Sequence, residues 1–156
     1  MIKYFAYGSN MDLNRITDRI DRCPEREPAT LSGYKLRFNK RAKGNPREGY
    51  ANIEQCDREL PGVIYDLTED ELKRIDCREG VHNGHYMRRL VHVKSSTGLQ
   101  LEATVHVACD EWVEKGLLPS KEYLNHLLAG AELLPDDHVQ WLQQQDVLDS
   151  SEGGDK

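Results

Sequence analysis

The chain opens on an apolar run, residues 2–7, that breaks at Gly8-Ser9-Asn10 and passes at once into helical periodicity. The aromatic and β-branched residues of that run favour a strand. Asp12 is placed to cap a short helix whose Leu13, Ile16 and Ile20 share one face. A strand joined to a helix by three small residues leaves backbone amides that no bulky side chain shields. Such a turn is usually only a turn. It becomes an anion or oxyanion site when the helix start is left open toward a pocket.

Further along, Pro24 and Pro28 close the first helical segment, and strand-like runs follow at 30–39, 50–55 and 62–67. Thr68-Glu69-Asp70-Glu71 has the pattern of a capping box, with Leu67 and Leu72 as a hydrophobic staple and Leu72 and Ile75 as the buried face. Two more strands fit 87–94 and 99–108, joined as a hairpin through Ser95-Ser96-Thr97-Gly98. In the second, Leu101, Ala103, Val105 and Val107 alternate with Glu102, Thr104 and His106, predicting one apolar and one polar face. Ser120 is placed to cap a helix carrying Leu124, Leu127 and Leu128, with Gly130 as its stop, and Pro135 opens another. Hairpins with interspersed helices, and no regular βαβ units, predict an α+β fold with a mixed sheet. One domain over 1–148 is expected, followed by a disordered polar tail at 149–156.

Charge and cysteine usage narrow the function classes. With 21 basic and 27 acidic residues, the formal charge of −6 argues against nucleic acid or an anionic membrane surface as a partner. No apolar run reaches membrane-spanning length, and the start lacks the regions of a signal peptide. Cys23, Cys56, Cys77 and Cys109 are scattered without a C-x-x-C pair, which fits free thiols in a reducing cytoplasm.

Local motifs for chemistry are weak. Glu79, His82 and His85 have a three-residue spacing, but the intervening Gly80, Asn83 and Gly84 favour a loop, and the H-E-x-x-H pattern of a zinc site is missing. Nothing nearby marks a base aimed at Cys77. The basic stretch of Lys35, Arg37, Lys40, Arg41, Lys43 and Arg47 would suit an anionic small molecule, yet reads more readily as a solvated strand and loop.

An ordered set of segments says more than any of these motifs. YFAYGSNM at 4–11, GYANI at 49–53, PGVIYDL at 61–67 and LKRIDCREGVHNGHYMRRLVHV at 72–93 together resemble the γ-glutamylcyclotransferase-like family. That family includes γ-glutamylcyclotransferase, γ-glutamylamine cyclotransferase and relatives acting on other γ-glutamyl groups. The resemblance spans residues 1–110, with a helical continuation toward residue 145.

The resemblance implies a small mixed β-barrel with flanking helices. It implies that Tyr7, Gly8, Ser9 and Asn10 line a substrate cavity with Tyr86, and that Glu79 is the catalytic acid/base. The reaction it implies is cyclisation of a γ-glutamyl group to 5-oxoproline with release of an amine or amino acid. The expected partner is a small γ-glutamyl molecule, with no metal, nucleotide or redox cofactor, and a homodimer is left open because some relatives form one. His106 stands where several relatives have a tyrosine, and is either a substrate contact or a buried polar residue. The alternative function is a γ-glutamyl or amino-acid binding protein that keeps the cavity without turnover.

Overall fold

The computed structural model describes residues 1–149, so the expected tail lies outside the described residues apart from Asp149. Five strands close a barrel: β1 (Ile2–Ala6), β2 (Arg26–Arg41), β3 (Gly49–Leu67), β4 (Tyr86–Ser95) and β5 (Gln100–Ala108), in the order β1-β3-β2-β4-β5. Four of the contacts are antiparallel, and closure is parallel, with Tyr4 of β1 beside Thr104 of β5. The sheet is therefore mixed and has no free edge along the barrel wall. Helices α1 (Leu13–Ile20), α2 (Glu69–Glu79), α3 (Lys121–Leu128) and α4 (Asp136–Gln143) flank it. No helix among the described residues is long and apolar enough to cross a membrane.

The two runs expected at 50–55 and 62–67 are one strand of 19 residues. Between them the ladder with β2 slips: Ser32 faces Glu59 while Tyr34 faces Gln55, so Gly33 alone opposes three residues. Gly33 absorbs the bulge at φ 91°, a conformation that a side chain disfavours. The polar residues 57–59 are exposed at this bulge, which is why they read as a break. Pro28 does not end the helical segment but sits inside β2 opposite Val63, while α1 stops earlier, at Asp21 in the left-handed region.

Where the signals were local, the elements match. Asp12 accepts from the Asn14 amide to start α1. Thr68 and Glu71 form both bonds of the capping box of α2, and Leu67 and Leu72 are fully buried. Thr68→Ala should therefore lower stability by about 1 kcal/mol, read as a shifted denaturation midpoint. An unaltered midpoint would show that the cap is not formed. Arg22 also binds the Glu71 carboxylate and pulls its pKa down to about 2 from 4.5. A depressed carboxylate stabilises the fold above its unfolded pKa and ceases to do so as pH falls through the folded one. This contribution should fade between pH 4.5 and about 2.

Two expectations yield to packing. In β5 the polar face is not polar to solvent, since Thr104 and His106 are as buried as their apolar neighbours. Thr104 pairs with Tyr4 of β1 and His106 bonds Asp76 of α2, so this face is interior at Thr104 and His106 while Glu102 remains exposed. Helix α3 does stop just before Gly130, but not through a left-handed glycine: it ends at Leu128 with Ala129 as its cap, and the φ of Gly130 is −94°. A side chain there would come within 3.0 Å of the Met11 Cβ and carbonyl, so the glycine lets the end of α3 press on the turn after β1.

Candidate active site

The turn after β1 is a single 3₁₀ turn, Ser9–Met11, leading directly into α1. Its two bonds are donated by the Met11 and Asp12 amides, so those of Gly8, Ser9 and Asn10 are not spent in it. Gly8 is required by space: a Cβ would sit 2.9 Å from the Ala51 Cβ and 3.4 Å from the Tyr123 hydroxyl. Close packing on β3 and α3 thus fixes this turn from two sides.

Glu79 is the last residue of α2, released by Gly80 in the left-handed conformation. Among the described residues both bonds to its carboxylate fall on Oε2: Arg19 donates at 2.7 Å and Asn10 Nδ2 at 3.1 Å. The same Arg19 nitrogen donates to Asn10 Oδ1 at 2.7 Å. One guanidinium therefore ties the turn to the carboxylate. The pair is well buried, with side chains 8% and 16% exposed.

Ser9, Glu79, Tyr86 and Tyr123 are walls shared by a cavity of about 240 Å³ and an adjoining recess of about 30 Å³. Tyr7, Gly8 and Asn10 line the recess. All six residues expected at the site thus meet in one place. The tyrosines serve more as walls than as free hydroxyls. Tyr7 donates to the His106 carbonyl and Tyr86 to the Ala51 carbonyl, each at 2.7 Å. Burial pushes all these phenols well above their usual pKa, so they remain donors.

His106 has both ring nitrogens engaged within the protein. Tyr4, kept protonated first by burial and then by the charge of Glu79, donates to Nδ1 at 3.0 Å. The Nε2 proton goes to Asp76 Oδ1 at 2.7 Å. Asp76 also accepts from Arg88, and these bonds to His106 and Arg88 outweigh burial and hold its carboxyl below the usual range. Asn10 in turn donates to the Tyr4 oxygen at 3.0 Å. The bonds run in one direction, from Asn10 through Tyr4 and His106 to Asp76. His106 is buried and braces the turn, and it also lines the recess beside Glu79, so both readings open in the sequence fit its position.

The zinc-like spacing does not gather. Glu79 goes to Arg19, His85 to Lys40, and His82 is exposed; no group of three such ligands forms among the described residues. Of three further residues at the cavity, two gave no usable signal in the sequence and the third only a weak one. Arg19 looks like an ordinary helix-surface residue, and Tyr123 lies on a helix far along the chain. Its hydroxyl accepts from the Ala51 amide at 2.9 Å, a bond that does not use its own proton. Lys40 belongs to the stretch read as solvated, yet it is 2% exposed and lines the cavity.

Comparison with known proteins bears on the family and the fold. The model of the AIG2-like family matches residues 59–142. The γ-glutamylcyclotransferase of Bos taurus is 29% identical over 138 residues, covering 83% of this chain and 69% of that protein. The Homo sapiens γ-glutamylcyclotransferase is 29% identical over 133 residues, with the same shares. A solved structure of a γ-glutamyl cyclotransferase superposes with a TM-score of 0.83 at 26% identity, covering 95% of this chain and 89% of that one. With a family model matching more than half of its length, the chain belongs to the AIG2-like family and has the γ-glutamylcyclotransferase fold.

Proposed function

We propose that this protein cyclises a γ-glutamyl group to 5-oxoproline, releasing the attached amine, with Glu79 as the proton shuttle. The observation that carries the reading is the meeting of a buried carboxylate with the small-residue turn at one cavity, Asn10 Nδ2 lying 3.1 Å from Glu79 Oε2. The substrate's own α-amine is the nucleophile. It attacks the γ-carbonyl carbon, the new C–N bond closes a five-membered lactam, and the original amide C–N bond breaks. Tethered reactions of this kind reach effective molarities of about 10⁵ to 10⁸ M when correctly folded, so the enzyme's main task is conformational.

Two further tasks fall to the protein. Charge that builds on the γ-carbonyl oxygen meets the amides of the Gly8–Asn10 turn, which approach closely and are held rigidly. The ammonium proton passes to Glu79 and on to the departing nitrogen. With Oε2 anchored by Arg19 and Asn10, Oε1 is the oxygen that does this work.

Incubation with a panel of γ-glutamyl amino acids and amines should release 5-oxoproline from at least one of them. Tight binding without release would leave a γ-glutamyl binding protein instead. The scheme has no step for a metal ion, so activity should survive dialysis against a chelator. A loss restored by zinc would overturn the scheme.

A further inference from the structure

The cavity beside Glu79 is far more basic than the chain that forms it. Arg15, Arg19, Lys40, Lys43 and Arg78 line it with Glu79 as the single acid among the described residues, although the protein carries a formal charge of −6. Arg19 is committed to Glu79. Lys40 is committed to no carboxylate: among the described residues its Nζ has no ion-pair partner, yet its side chain is almost fully buried.

Neutral groups hold it instead. Nζ donates to His85 Nδ1 at 2.6 Å, and the His85 ring stacks on Trp112 at 3.8 Å. The rings of Trp112, Tyr86 and Tyr50 lie 4.6, 5.4 and 5.5 Å from Nζ. Burial, followed by the charge of Lys40, lowers the His85 pKa and keeps its Nδ1 an acceptor. Aromatic faces steady a cation but accept few of its hydrogen bonds, and an ammonium has three protons to donate. A buried cation is costly unless an anion compensates it. On the same cavity wall the Nε of Arg15 is a buried donor without a hydrogen-bond partner among the described residues.

We propose that Lys40 is a specificity-determining residue that binds a carboxylate of the substrate, with His85 as the positioning residue that aims its ammonium. The inference rests on the cyclotransferase reading for the substrate. A γ-glutamyl amino acid offers two such groups, the glutamyl α-carboxylate and the carboxylate of the amino acid that leaves.

Lys40→Met is nearly isosteric and leaves no charge behind. Kinetics with γ-glutamylalanine, γ-glutamylethylamine and the α-amide of γ-glutamylethylamine separate the two sources. If Lys40 holds the leaving group's carboxylate, the change should raise KM for γ-glutamylalanine by about 10- to 100-fold and leave γ-glutamylethylamine unaffected. If it holds the α-carboxylate, both should suffer alike and the α-amide should not. Equal losses on all three, a fall in kcat alone, or no change would each overturn the proposal.

A second measurement does not depend on turnover. Burial lowers the Lys40 pKa to about 8, opposed by Glu79 on α2, aided by the neighbouring Arg41, and opposed again by Cys109 just past β5. Calorimetric titration with glutarate should show binding that weakens about tenfold per pH unit above that value and is lost in Lys40→Met. Glutarate binding that ignores both pH and the substitution would sink the anion site. A wild-type protein that binds glutarate in this way but never releases 5-oxoproline would sink only the cyclotransferase reading.

Discussion

Glu79→Gln should bind γ-glutamyl compounds and turn them over about 10² to 10⁴-fold more slowly. The substitution is nearly isosteric, and the amide oxygen still accepts from Arg19 and Asn10, so the turn keeps its position. What is lost is the ability to take a proton from an ammonium. Glu79→Asp separates place from chemistry, since it retains the base but withdraws it by one methylene. A displacement of about 1 Å can cost about 10²-fold. A substrate whose α-amine is acylated should be inert even with unaltered protein, because its nucleophile is blocked. Normal turnover by Glu79→Gln would move the shuttle to another group beside the Gly8–Asn10 turn.

What the sequence reveals and what it hides divide along the range of the interactions. Caps are local, so Asp12 and the Thr68–Glu71 box locate the starts of α1 and α2 correctly. Polarity patterns fail where an element touches something distant. β5 keeps its polar face at Glu102 but loses it at Thr104 and His106, which are buried beside Tyr4 and Asp76, and β3 looks like two strands because Gly33 of β2 bears the bulge. Glycine is ambiguous for the same reason: Gly80 does end its helix, whereas Gly130 serves a contact with Met11. At the site, the turn and Glu79 are found only through the order of several motifs, each weak alone. Lys40 and Arg19 escape because their partners lie 45 and 60 residues away in the chain. A buried lysine and a surface lysine leave the same letter in the sequence.

Arg19 should prove the largest single contributor to both stability and activity outside the carboxylate itself. Arg19→Met leaves a mostly buried Glu79 charge against an apolar side chain, and breaking such a pair costs about 3–5 kcal/mol. Adding Glu79→Gln removes the stranded charge, so the double variant should be less destabilised than the two single effects added. The expected coupling is about 1–3 kcal/mol, measured as a cycle of denaturation midpoints. Effects that add to within about 0.5 kcal/mol would mean that the pair contributes nothing in solution. Turnover gives an independent reading. The guanidinium also holds Asn10 Oδ1, so its removal frees the turn and the carboxylate together, and a loss of about 10²-fold is expected even where the protein stays folded. Arg19→Lys should recover charge but not geometry. The ammonium has protons enough for both oxygens but sits on a shorter side chain, whereas the guanidinium nitrogen here meets both at 2.7 Å. Stability should therefore return further than turnover does, and full recovery of both would show that the bridge between turn and carboxylate is not needed.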